Sequence, residues 1–361
     1  MFYYGIQSNS DTSWAFSHIF IIIGLFFTSI SLDFRKIPFP SFSLVAINLS
    51  IFFGSSLFVF LSVAQYHSWS FGIANILVKE RAVPTIWNSL EAINGPSLDI
   101  YSYLGLSTIG ILIILLLKLV DYFDKSKRFI FTFTIVSFFS VLMAAYSSIA
   151  LGARTPFVVL LLSIFVTCVF ITFFNSDSKT KKSITLYSLG LFIFFIVICI
   201  FTYYALMENL IGLLDNMVEN GIGNRFADEG LETDRYQIWL EVLSQMIDLP
   251  WGGKVMIISG SYAHNIWLDQ IYEAGIFSGL FLLTFHLSQI LIIFKFLQLK
   301  LPKMIHVFGL CSTLAFFTAF LQAPVMQAST LYFGVSCFFF GSLSRFTSDC
   351  KYDHKLLKCS L

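Results

Sequence analysis

Residues 304–344 read MIHVFGLCSTLAFFTAFLQAPVMQASTLYFGVSCFFFGSLS, with no Asp, Glu, Lys or Arg and a single turn signal, Gln322-Ala323-Pro324. A helix needs roughly 20 apolar residues to cross the hydrocarbon of a bilayer, so this stretch is long enough for two crossings. The residue before a proline resists helical backbone, which puts the turn at Gln322-Ala-Pro324 and the spans at 304–320 and 325–344. Working outward, the same criterion marks spans at 13–32, 41–63, 100–117, 129–151, 155–174, 184–206 and 274–294. The expected fold is therefore all-α: a polytopic integral membrane protein with about nine transmembrane helices. The first run has neither a basic segment before it nor a small-residue cleavage site after it, so it is expected to be a retained span rather than a signal peptide.

Composition supports this reading. Of 361 residues 57% are hydrophobic and 12% charged, with 43 phenylalanines, too few charges to cover a water-soluble surface of this size. A net charge of +1 with no concentrated basic patch excludes nucleic acid as a partner and leaves membrane lipids as the surroundings. The six cysteines show no C-x-x-C spacing and imply neither zinc nor a disulfide framework. Orientation follows from lysine and arginine, which gather in cytoplasmic loops. With nine spans, alternate loops place sixteen of the 22 on one side, from Arg35 and Lys36 to Arg345 and the tail, and six on the other: Lys79, Arg81, Arg154, Arg225, Arg235 and Lys254. The amino terminus is then outside and the carboxyl terminus cytoplasmic. The whole chain, 1–361, is read as one membrane domain containing a large outside loop at 207–273.

That loop holds the residues that look like chemistry. Between Glu208 and Glu273 it carries eleven acids against three cations, Arg225, Arg235 and Lys254. Thr233 is placed to cap a helix whose apolar face is Tyr236, Trp239, Leu240, Leu243 and Ile247, ended by Pro250-Trp-Gly-Gly253. Arg235 falls in its first turn, where the helix dipole disfavours a cation; either a bound anion or a nearby acid such as Glu232 or Asp234 would compensate it. Arg154 lies in a short turn, Gly152-Ala-Arg154-Thr-Pro156, between two apolar runs, where an ionisable group is costly unless used, although a snorkelling arginine fits too. Asn265 is a good N-cap, which puts His264 beside the positive end of the next helix and favours a neutral imidazole able to act as a base. Asp269 and Glu273 follow at i, i+4; they either orient His264 or a sugar hydroxyl, or simply favour the helix amino end. The other histidines, His286 among them, read as structural hydrogen-bonding residues. The other outside segment, 65–99, with Trp69 and Trp87, is expected to hold an interfacial helix.

Several signatures are absent: a Walker A loop, GxGxxG, GxSxG, H-E-x-x-H and Asp-x-Asp. Nucleotide chemistry and metal-bound nucleotide-sugars are disfavoured accordingly. The nine spans contain no acid, which argues against ion-coupled transport.

Arg235-x-x-x-Trp239, Pro250-Trp-Gly-Gly253, Ala263-His264-Asn265-x-x-Leu268 and Gly275 leading into a span together resemble the shared core of the O-antigen polymerases and O-antigen ligases. Arg154 resembles that family's upstream arginine. The likeness covers about forty residues and one isolated position, and the family commonly has eleven or twelve spans where nine are counted here. The resemblance implies a bacterial (Gram-negative) inner-membrane glycosyltransferase of the all-helical, GT-C-like kind, with its site facing the periplasm. The donor would be an oligosaccharide on undecaprenyl diphosphate, with no nucleotide or metal cofactor, and a chain-length regulator would be a partner. Arg154 and Arg235, aided by Arg225 or Lys254, would hold the diphosphate; His264 would take the proton of the acceptor hydroxyl; Asn265, Asp269, Glu273 and Trp239 would support them. The short, phenylalanine-rich chain resembles the polymerases more than the ligases. A non-enzymatic flippase for the same lipid, or a structural subunit of an export assembly, are the alternatives from other classes.

Overall fold

The structure is a computed structural model that describes residues 12–37, 39–69, 82–85, 88–94, 96–117, 127–151, 153, 155–173, 235–260, 262–299, 301–323, 325 and 329–352. In chain order its elements are α1 (Thr12–Ser31), α2 (Pro40–Tyr66), β1 (Ala82–Thr85), β2 (Asn88–Asn94), α3 (Pro96–Ser107), α4 (Ile109–Leu116), α5 (Lys127–Ala150) and α6 (Thr155–Phe173). They continue with α7 (Arg235–Gln245), α8 (Ile266–Ala274), α9 (Ile276–Leu297), α10 (Lys303–Gln322) and α11 (Thr330–Tyr352). Apolar runs of this length adopt helix because only helix satisfies every backbone N–H and C=O within the segment. Among the described residues five helices, Pro40–Tyr66, Leu98–Leu116, Phe129–Ala150, Ile276–Leu297 and Lys303–Gln322, are long and apolar enough to cross a membrane, consistent with a polytopic membrane protein. The run at 184–206 lies outside the described residues, as do 207–234 of the large loop.

One short ribbon departs from an all-α reading. β1 and β2 pair antiparallel, Val83 opposite Ile93, with a register shift between Pro84 and Thr85. Where the 65–99 segment is described beyond the end of α2, it is a turn at 67–69, the two strands and the start of α3; residues 70–81, room for the expected interfacial helix, lie outside the described residues. Pro84 and the β-branched pair Val83 and Ile93 favour a short edge ribbon over helix.

The chain divides into two compact units. One comprises 52–233 and 307–315. Here α3 and α4 pack against α5 and α6 through small residues. A Cβ on Gly105 would collide with Ser56 Oγ and lie 2.8 Å from Ala144 Cβ, so only glycine lets these helices approach so closely. The expected span at 100–117 matches Leu98–Leu116, with an irregular turn at Thr108, whose Oγ1 donates to the Gly105 carbonyl at 2.7 Å, a local bond that competes with the helical ladder. Val59, Val63, Val83 and Leu98 form a core with Leu151 and Ala153, which seats the turn leading to Arg154; Arg154 itself lies outside the described residues.

The other unit comprises 1–51, 234–306 and 316–361. In it α1 runs along α11, and α9 packs on both α8 and α11. Its interior is aromatic: Phe316 lies 5.4 Å from Tyr332 and 5.4 Å from Phe339. At the carboxyl ends of α1 and α11 an ion cluster joins residues far apart in sequence. Asp349, 5% exposed, accepts from the Phe34 amide at 3.1 Å and from Arg345 Nε at 3.1 Å, while Arg35 bonds Asp33 at 2.9 Å. The hydrogen bond from the Arg35 side chain, more than any other influence, holds the Asp33 carboxyl down at about 2. Arg35 and Arg345 thus meet at one end of this unit through Asp33 and Asp349.

Candidate functional site

The site is built on α7, α8 and the loop between them. α7 has three faces. Ile238 and Val242 are buried with Ala263, Leu268, Ile271 and Tyr272 in a small core that Trp239 and Met246 flank. Gln237, Glu241 and Ser244 form a polar face. Tyr236 at 69% and Ile247 at 75% exposure, with Leu240 and Leu243, form an apolar face left uncovered. The apolar stripe read from the sequence, Tyr236, Leu240, Leu243 and Ile247, is therefore the exposed one, apart from Trp239. The helix carries two apolar stripes, and the one that Met256, Ala263 and Leu268 can cover is the one buried.

The loop is fastened to α7 by side-chain bonds. Gln245 Nε2 donates to the Ile257 carbonyl at 2.8 Å and its Oε1 accepts from the Ile257 amide at 2.9 Å. Glu241 accepts from the Ser259 amide at 2.7 Å, the main reason its carboxyl is held below its ordinary range. Trp239 Nε1 donates to the Ala263 carbonyl at 2.6 Å, one residue before His264.

The Pro250-Trp-Gly-Gly253 turn locks onto the end of α8. The Gly253 amide donates to the Glu273 carbonyl at 2.9 Å, Lys254 N to Tyr272 O at 3.1 Å, and Ile276 N to Pro250 O at 2.9 Å. Gly275 has φ +89, a backbone region that side chains disfavour, and a Cβ there would collide with the Pro250 carbonyl. A Cβ on Gly252, at φ +69, would collide with the Gly275 amide. These glycines let the chain break between α8 and α9 instead of running straight into the span. One consequence concerns Glu273: it stands at the carboxyl end of α8, where it pairs with Lys254 at 3.3 Å, and does not serve the helix amino end. Lys254 also lies 5.5 Å over the Tyr262 ring.

Asn265 caps α8, its Oδ1 accepting from Trp267 N at 3.1 Å and Leu268 N at 3.2 Å. Asp269, 0% exposed, reaches back into the loop: Oδ1 accepts from the Ala263 amide at 2.6 Å and Oδ2 from the Asn265 amide at 3.1 Å. Burial raises this carboxyl to about 7 against the pull of those amides, which lower it. His264 lies between the two clamped residues with φ +54, a left-handed conformation uncommon for a non-glycine. Burial first, and the Arg235 guanidinium second, together lower its imidazole from 6.5 to about 4. Desolvation, more than the helix end, keeps it neutral.

Arg235 Nη1 donates to the Gln322 carbonyl at 3.1 Å and to Gln322 Oε1 at 2.8 Å. Glu232 and Asp234 lie outside the described residues, as does Arg225. The structure thus brings together Arg235, Trp239, His264, Asn265 and Asp269, with Lys254 and Glu273 paired at the far end of α8. Two contributors were missed. Gln322, read only as part of a turn, holds Arg235; its polarity in an uncharged stretch was the available signal. Trp267 donates from Nε1 to His286 Nδ1 at 2.9 Å, and His286 stacks on Phe320 at 4.5 Å, tying the first turn of α8 to α9 and α10. Among the described residues, no three His, Cys, Asp or Glu side chains gather as a metal site.

No model of a known protein family matches this chain, and no curated protein sequence matches it. The arrangement itself is a neutral imidazole, on a loop fixed by a buried carboxylate and a helix cap, in the electrostatic reach of a guanidinium. Such a pair can accept a proton from a hydroxyl while stabilising negative charge beside it.

Proposed function

We propose that this chain is an O-antigen polymerase, a bacterial inner-membrane glycosyltransferase of GT-C-like architecture with about nine spans, acting at the periplasmic face. The observation that carries the reading is the neutral His264 held beside Arg235 on the loop that Asp269 clamps. The donor is the growing oligosaccharide on undecaprenyl diphosphate. His264 takes the proton of the acceptor hydroxyl on a second lipid-linked repeat unit, and that oxygen attacks the anomeric carbon. The bond from that carbon to the diphosphate oxygen breaks, releasing undecaprenyl diphosphate. Arg235 meets the charge that develops on the leaving group; Arg154 and Arg225, expected in the same role, lie outside the described residues. Lys254 is spoken for in part by Glu273, so its share is smaller. A chain-length regulator is the expected partner.

Purified full-length protein given radiolabelled lipid-linked repeat units tests this. Polymer formed without any other acceptor supports the proposal. Transfer only when lipid A core is supplied identifies a ligase instead, and no transfer in either case points to the non-enzymatic flippase.

A further inference from the structure

Of the three faces of α7, one is covered by protein and one is polar. The third holds Tyr236, Leu240, Leu243 and Ile247, which helical geometry puts within an arc of about 60°. Among the described residues nothing covers it. Helical bonding continues past Gln245, with Met246 N donating to Val242 O and Leu249 N to Gln245 O, and the chain then presents Trp251, 78% exposed. The Trp251 ring lies 6.0 Å from that of Phe277, itself exposed in the first turn of α9. From Phe277 the exposed apolar surface runs on along α9 through Leu280 and Phe281, on a helix long and apolar enough to cross a membrane. The α7 stripe thus leads, through Trp251, onto the outer surface of a span.

The mooring of α7 fixes its level. α9 and α10 run antiparallel, since Phe296 lies 5.5 Å from His306 while His286 stacks on Phe320 at 4.5 Å. The start of α9 and the end of α10 therefore lie toward the same side, and α7 is tied to both. At its first residue Arg235 bonds Gln322, the last residue of α10; past its last turn the Pro250 carbonyl accepts from the amide of Ile276, the first residue of α9. A helix held in this way lies across the span ends, where hydrocarbon gives way to headgroups.

We propose that α7 is an interfacial helix, with Tyr236, Leu240, Leu243, Ile247 and Trp251 buried in the bilayer at the boundary of acyl chains and headgroups. The occupant is the bilayer and not a second protein surface, because the stripe is continuous with the exposed face of a span that lipid covers. The stripe is flanked by a tyrosine and a tryptophan, whose apolar rings and polar tips suit that layer. Its polar face, Gln237, Glu241 and Ser244, holds no cation, so the seat rests on apolar area and not on attraction to anionic lipid. Trp239, Glu241 and Gln245 fasten the loop before His264 to this helix, so the bilayer surface sets the depth of that loop. The proposal needs the spans but not the reaction proposed above.

The test places photoreactive benzoylphenylalanine at Leu243, Ile247, Gln237, Ser244 or Phe281 of the full-length protein, one position at a time. Each of these side chains is exposed, so each variant should elute as wild type. The proteins are reconstituted in phosphatidylcholine vesicles with and without phosphatidylglycerol and irradiated, and the adducts are mapped by mass spectrometry. Phe281 reports the lipid yield of a span. Leu243 and Ile247 should give lipid adducts at a comparable yield in both lipid mixtures, and Gln237 and Ser244 none above background. Leu240→Asp with Leu243→Asp should bring the Ile247 lipid adducts to background and leave those at Phe281 unchanged. Adducts from Leu243 and Ile247 to a peptide of this chain or to a second copy overturn the proposal. A lipid yield equal on both faces, or one that requires phosphatidylglycerol, also overturns it. Sugar transfer is not the readout, so failure of the polymerase reading leaves this result standing, and the reverse holds.

Discussion

Replacing Asp269 with Asn keeps the shape of the side chain and removes one of its two acceptors. In the native protein Oδ1 accepts from the Ala263 amide at 2.6 Å and Oδ2 from the Asn265 amide at 3.1 Å, with no exposure to water. An amide side chain can keep one of these bonds, but its NH2 then faces the other backbone N–H, and a buried donor is left unpaired. That costs about 1–3 kcal/mol. Because the unpaired amide lies within a residue of His264, the strained loop is expected to leave its native geometry, lowering transfer by about 5- to 150-fold. The assay is transfer rate at saturating and at limiting donor, together with the melting midpoint of the purified variant. A fall in kcat and a lower midpoint support the clamp. An unchanged rate with an unchanged midpoint would mean that other contacts hold the loop, and the argument from Asp269 to His264 would fail.

The remaining predictions concern the same loop. With His264 held at about 4, the acid limb of the transfer rate should fall near pH 4 and not near 6.5, measured as kcat/KM against pH. The folded form binds fewer protons than the unfolded chain between those values, so this group's contribution to stability is complete above 6.5 and is lost as pH falls toward 4; His264→Gln should flatten that part of the melting profile. Asp269 acts in the opposite sense, because its carboxyl is raised to about 7: its contribution is present below 3.8 and fades as pH rises through 7, and Asp269→Asn should remove that slope. Arg235→Met should lower transfer by roughly 10²–10³-fold, as loss of one charge-stabilising group does, and should move the acid limb to higher pH because a cation beside His264 is gone. Gly275→Ala should cost about 1–3 kcal/mol from backbone strain alone, before the clash with the Pro250 carbonyl, seen as a lower melting midpoint.

The membrane-spanning helices were legible because a bilayer imposes one simple demand, a long apolar run with its backbone satisfied internally. The N-cap at Asn265 was legible for a similar reason, since the cap is made within three residues. The buried face of α7 was not. Tyr236, Leu240, Leu243 and Ile247 have helical spacing, but so do Ile238, Val242 and Met246, and only the tertiary partner decides which stripe is covered. Glu273 was misplaced because Gly275 ends α8 before the span begins, a break that the Pro250 turn enforces from 25 residues away. Gln322 pairs with Arg235 from 87 residues away and Asp349 with the Phe34 amide from 315 away, and local sequence offered no more than the polarity of Gln322 in an uncharged stretch.

The account stands most directly on whether the imidazole of His264 performs the transfer. Purified wild type and His264→Ala are given the same radiolabelled lipid-linked repeat unit, and product length is read by gel while donor binding is measured separately. The account predicts polymer from the wild type, none from the variant above background, and donor bound by both. Equal polymer from both proteins would contradict it.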